Sequence, residues 1–135
     1  MDFDAAMQAH ANWKIKLTAY ASGISRDKID AIVTAKDNAC ALGQWLHGDG
    51  KALMAGRPEY KELVAAHADF HRQAAGLVTL IDRGQAAQAN AQLGDTKSTY
   101  REASSKVIGI LMKLKRSASA PQVPRIPPPR VLAPR

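Results

Sequence analysis

The residues best suited to chemistry in this chain of 135 are three histidines and its only cysteine: His10, Cys40, His67 and His71. Imidazole nitrogen and thiolate sulfur are the donors of closed zinc sites, in which four protein ligands make a tetrahedron. Hard cations prefer oxygen, and a di-iron centre in a helical bundle needs inward carboxylates and Glu-x-x-His pairs, which the helix cores here do not offer. His67 and His71 alone say little, because residues four apart stack on one face of any helix and such pairs are often half exposed. His10 says more. It falls within an apolar stripe, so its ring nitrogens must be satisfied inside the protein, by hydrogen bonds or by a strong ligand. A lone core histidine or cysteine is ordinarily a hydrogen-bonded ring or a small hydrophobe. Four such residues facing inward together favour a shared metal ion, with Zn²⁺ as the expected cofactor. Four protein donors leave no open position for a catalytic water, so an enzyme is not expected.

Helices must carry these residues. Phe3, Met7, His10, Trp13, Leu17 and Tyr20 are spaced by 4, 3, 3, 4 and 3 residues and trace one helical face. Ser22-Gly23 closes this first helix, and residues 24–34 read as a connection with a short helical piece over 26–33. Lys36 or Asp37 opens a short second helix bearing Cys40, Leu42, Trp45 and Leu46, which the run His47-Gly48-Asp49-Gly50 ends. Pro58 suits the first turn of a third helix over 59–82, whose apolar face includes Leu63, His67, Phe70, His71, Leu77 and Val78. A fourth, over 85–115, carries Leu93, Tyr100, Val107, Ile110, Leu111 and Leu114. No strand-like alternation of any length occurs. The expected fold is all-α: an antiparallel four-helix bundle with a short second helix.

Composition divides the chain at residue 116. The net charge of +7 suggests nucleic-acid binding until it is located. Residues 116–135 hold Arg116, Arg125, Arg130 and Arg135 and no acid, which leaves a net +3 upstream. Six of the seven prolines lie there as well. Proline at that density fixes φ and removes backbone donors, so residues 116–135 are expected to be a disordered, solvated tail, and residues 1–115 the domain. Its P-x-x-P spacings could recruit a partner, but no aromatic residue interleaves with the arginines, which argues against nucleic acid. No apolar run reaches the roughly 20 residues of a membrane span, and a single cysteine suits a reducing compartment, so no membrane insertion and a cytoplasmic location are expected.

The spacing from His10 to Cys40, then to His67 and His71, and the segments HANWKIKL, CALGQWLHGDG and HADFH resemble the bacterial chemoreceptor zinc-binding domain family, CZB. Cys40, Leu42, Gly43, Trp45, Leu46 and Gly48 reproduce its Cys-x-Leu-Gly-x-Trp-Leu-x-Gly signature, and Pro58, Tyr60, Leu63, His67, Phe70 and His71 fit its third-helix pattern. The resemblance covers residues 5–115 and leaves out the tail. It implies a four-helix bundle whose zinc ligands are His10, Cys40, His67 and His71, and a homodimer. It also implies a sensor of zinc or oxidants acting for a chemoreceptor or a diguanylate cyclase, here in trans because the chain has no attached signalling domain. Two alternatives stand beside it: an interaction bundle with a purely structural zinc and a partner-recruiting tail, and a bundle metalloenzyme. Among nearby residues, His47 reads as a surface or capping residue and Trp13 and Trp45 as packing. Asp69 points away from His67, and Asp37 could support the site from behind.

Overall fold

A computed structural model describes residues 2–25, 27–54 and 56–119. These contain seven helices and no strand: α1 (Phe3–Ser22), α2 (Ala31–Ala35), α3 (Ala41–His47), α4 (Asp49–Met54), α5 (Pro58–Asp82), α6 (Ala86–Gly94) and α7 (Thr99–Ser119). The helical bundle expected from the sequence is present. Asp2 caps α1 by accepting the Ala5 N–H at 3.0 Å, and Gly23 ends the helix with φ +79°, a conformation that costs glycine almost nothing. Pro58 opens α5, where its missing N–H would have no helical partner anyway.

The long helices pack around α5. Arg57 and Ser117 meet at one end of the α5–α7 pair and Gln73 and Thr99 towards the other, so these helices are antiparallel. Lys115 reaches Asp4 at 2.7 Å, which makes α7 antiparallel to α1 as well. Tyr20, at the end of α1, donates to the Asp82 carboxylate at the end of α5, so α1 and α5 run the same way. This is up-down alternation, with the segment holding α3 and α4 in the second place. Leu17, Leu63, Phe70, Val78, Val107 and Leu111 are sealed in the common core. The apolar stripes of α1, α5 and α7 supply it, as the 3.6-residue period requires.

Four places differ from the periodicity. The fourth helix is interrupted at residues 95–98: the Asp95 carboxylate takes the Lys97 N–H at 2.9 Å, and the Ser98 hydroxyl donates to the Gln92 carbonyl at 2.7 Å. These side chains offer the backbone the partners a continuing helix would have supplied. The second helix starts at Ala41, later than Lys36 or Asp37, and after Gly48 the chain turns at once into α4. In the 24–34 connection the helical piece is only α2, capped by the Asp30 carboxylate on the N–H groups of Ile32 and Val33. At the C-terminal side α7 continues through Ser119, and the rest of the expected tail, residues 120–135, lies outside the described residues.

Candidate metal centre

His10 stands in the middle of α1 and faces α5, where His67 and His71, one turn apart, present their rings side by side with centroids 4.5 Å apart. Cys40 arrives from outside the bundle. It is the N-cap of α3, in extended backbone, and its sulfur accepts the Gly43 N–H at 3.4 Å. That placement needs glycine at 43, because a Cβ there would collide with the Asp37 carbonyl. The same close approach folds the 36–40 segment over the start of α3 and aims the sulfur at α5.

One donor atom from each of the four residues lies within 4.8 Å of the other three. His67 Nε2 is 3.0 Å from His71 Nε2 and 3.2 Å from Cys40 Sγ, and Cys40 Sγ is 3.6 Å from His71 Nε2. A tetrahedral zinc with bonds of about 2.0–2.3 Å separates its ligands by roughly 3.3–3.7 Å. The Cys40–His71 separation is of that size, and the two to His67 Nε2 are slightly shorter. The three histidines are at most 2% exposed, whereas Cys40 is half-buried.

Backbone carbonyls fix two of the rings. His10 Nδ1–H donates to the Ala6 carbonyl at 2.8 Å, and His71 Nδ1–H donates to the Thr34 carbonyl at 3.0 Å. Each bond selects the tautomer that turns an Nε2 lone pair to the centre, the arrangement by which ligating histidines are held. His10 Nε2 then lies buried with no hydrogen-bond partner among the described residues. A buried lone pair left so costs free energy unless something electropositive faces it. Phe70 walls the site, 5.1 Å from the His10 ring and 5.4 Å from the His71 ring.

Electrostatics agree. Burial pulls all three histidines below their ordinary range; for His67, burial and then the neighbouring His71 and His10 bring the value to about 3. The three rings are therefore neutral at physiological pH, the form in which imidazole can bind a metal. Burial pushes the Cys40 thiol up, a shift that a nearby divalent cation would reverse. The donor set of three nitrogens and a sulfur contains no carboxylate, so it fits zinc and not calcium or magnesium.

The neighbours fall as their sequence positions suggest. His47 is at the surface, 3.1 Å from the Asp37 carboxylate, and Asp69 turns outward to Arg72 at 3.4 Å. Trp45 packs on Phe3, and Trp13 lies against the His71 ring. The Thr34 carbonyl and the Gly43 amide are parts of the site that side-chain reasoning could not reveal. The signals that could have found them are an aspartate placed to cap α2, Asp30, and the glycine three residues after the cysteine.

The fold and centre define a class: helical bundles in which three histidines and one cysteine from three helical regions converge on a metal-binding point. Within it, the chemoreceptor zinc-binding domain family matches residues 10–78, just over half the chain and all four donors. The chain belongs to that family. No curated protein and no solved structure matches it significantly. Among the described residues no helix is long and apolar enough to cross a membrane.

Proposed function

We propose that residues 1–115 form a zinc-holding regulatory module of the cytoplasm, with His10, Cys40, His67 and His71 as the ligands and no catalytic activity of its own. It senses zinc supply, or an oxidant such as hypochlorous acid, through the Cys40 sulfur. It reports to a signalling partner such as a chemoreceptor or a diguanylate cyclase bound in trans, and acts as a homodimer. Residues 116–119 complete α7, and the basic extension outside the module is residues 120–135. The observation that supports this reading best is the convergence of four donors with two imidazoles already oriented by carbonyls, on a chain whose family is defined by zinc binding.

Zinc, when bound, keeps the Cys40 thiol deprotonated and nucleophilic at neutral pH. The sulfur would attack the chlorine of hypochlorous acid and displace hydroxide, and water would then replace the chlorine with release of chloride and a proton, leaving a sulfenic acid that is a poorer donor. Because the same sulfur caps α3, its oxidation also weakens the bond from the Gly43 N–H. The start of α3, otherwise held by Trp45 and Leu46 packing, is thereby released, so α3 is the two-state element that a partner reads. Metal analysis of protein purified without added zinc tests this. Stoichiometric zinc is expected, and it is lost after Cys40→Ala or after hypochlorous acid treatment. A Cys40→Ala protein that kept its full zinc and its oxidant response would refute the reading.

A further inference from the structure

One wall of the metal centre is open. A cleft of about 530 Å³ runs between α1, Ser25, residues 27–30 and α2, and ends on Cys40 and His71. That volume is in the range of small-molecule sites and far below what a folded protein could use. The three imidazoles are sealed, so a reagent entering here meets the half-buried sulfur first.

The mouth of the cleft is basic. Lys16, Lys28 and Lys36 line it. Lys16 is held across the Trp13 ring at 4.5 Å, which keeps its ammonium over the opening. Lys36 forms no ion pair among the described residues, while Lys28 shares its charge with Asp82 at 3.1 Å. Two acids also line the wall, Asp27 and Asp30. The Asp30 carboxylate is engaged by the backbone N–H groups that begin α2, which offset much of its field. Among the described residues Lys16 and Lys36, opposed by the Asp27 carboxylate, are thus the charges left facing an incoming solute, and the balance is positive. A cleft with low-dielectric walls focuses such charges and raises the local concentration of opposite ones.

We propose that this cleft is the access path to the Cys40 sulfur and a receiving site for small anions, admitting anionic electrophiles ahead of neutral ones of the same size. The inference deepens the sensor reading and rests on it for its physiological meaning. The path itself is a property of the chain that can be measured separately.

Alkylation of the full-length protein as purified supplies the test, because Cys40 is its only thiol. Iodoacetate and iodoacetamide are nearly the same size and react alike with the thiolate: a sulfur–carbon bond forms and the carbon–iodine bond breaks with loss of iodide, any thiol proton having gone to solvent beforehand. The ratio of the iodoacetate rate to the iodoacetamide rate is compared with that ratio for glutathione, in the wild type and in a Lys16→Glu, Lys36→Glu double variant. Charge reversal at these two surface positions is expected to slow iodoacetate on the order of tenfold, at the lower end of electrostatic focusing, and to leave iodoacetamide nearly unchanged. The difference is expected to shrink in high salt. Val33→Trp, which fills the exposed wall on α2, is expected to slow both reagents. Equal rate ratios in wild type and double variant would overturn the anion preference. Unchanged alkylation of a folded Val33→Trp protein would overturn the path. Metal content measured on the same samples keeps the two readings apart: absence of zinc with a charge-dependent rate removes the sensor reading and leaves the cleft.

Discussion

At the scale of single residues, the centre shows how a neutral imidazole is prepared for a metal. The Ala6 and Thr34 carbonyls consume the Nδ1 protons of His10 and His71, and burial keeps the rings uncharged. The same burial makes the metal-free protein sensitive to acid. A histidine whose pKa is lowered in the folded state remains neutral there, while in the unfolded chain it takes up a proton below its ordinary value near 6.5. The stabilisation is therefore complete above that value and is lost as the pH falls from it toward the folded values, about 3 for His67. Each such histidine gives a slope of up to about 1.4 kcal/mol per pH unit. Urea denaturation of chelator-treated protein between pH 7 and pH 5, above the range where carboxylates dominate, is expected to show stability decreasing with pH. A His67→Gln variant is expected to show a shallower slope.

At the scale of elements, α2 is small but closely tied to the site. Its five residues would not form a helix alone, since nucleation is costly and tertiary packing must supply the stability. The Asp30 cap and the packing of α2 on α5 fix it, and thereby place the Thr34 carbonyl under His71. Asp30→Ala is expected to cost about 1 kcal/mol of stability from the lost cap. Because it loosens the group that orients a ligand, it is also expected to weaken zinc binding roughly tenfold, the lower end for such supporting partners. Competition with a fluorescent zinc chelator measures the second effect, and unaltered affinity would show that α2 does not hold the ligand. The element-scale reading of the sequence was good where packing faces were long. The stripes of α1, α5 and α7 were legible because amphipathic periodicity is written locally. It failed at residues 95–98, where Asp95 and Ser98 redirect the backbone, since a stripe with a gap between Leu93 and Tyr100 looks the same whether or not the helix is broken.

For the whole molecule, the metal point joins parts of the chain that are far apart in sequence. Residue 10 on α1, residue 40 ahead of α3 and residues 67 and 71 on α5 meet there, so a bound ion closes two long loops at once. Only the folded chain brings these donors together, so binding free energy adds to folding free energy. Free zinc at a hundred times its dissociation constant is expected to add about 2.7 kcal/mol, which for a domain of this size raises Tm by about 10 °C. Differential scanning fluorimetry with and without a chelator reads this directly. Equal transitions in both would mean that the four donors do not act as one site.

The sequence alone determined the chemistry and its carriers: which side chains could bind zinc, that they lie on or beside helices, and which faces of those helices are apolar. Residue type and the 3.6-residue period are local properties, so no fold is needed to read them. Only the tertiary structure decided that Cys40 sits at a helix cap and not within a turn, because that depends on the Asp37 carbonyl resting where Gly43 has no side chain. It also decided that the sulfur, the least buried of the four donors, borders a lysine-lined cleft, since Lys16, Lys36 and Cys40 become neighbours only when α1 and the segment from α2 to α3 close against α5.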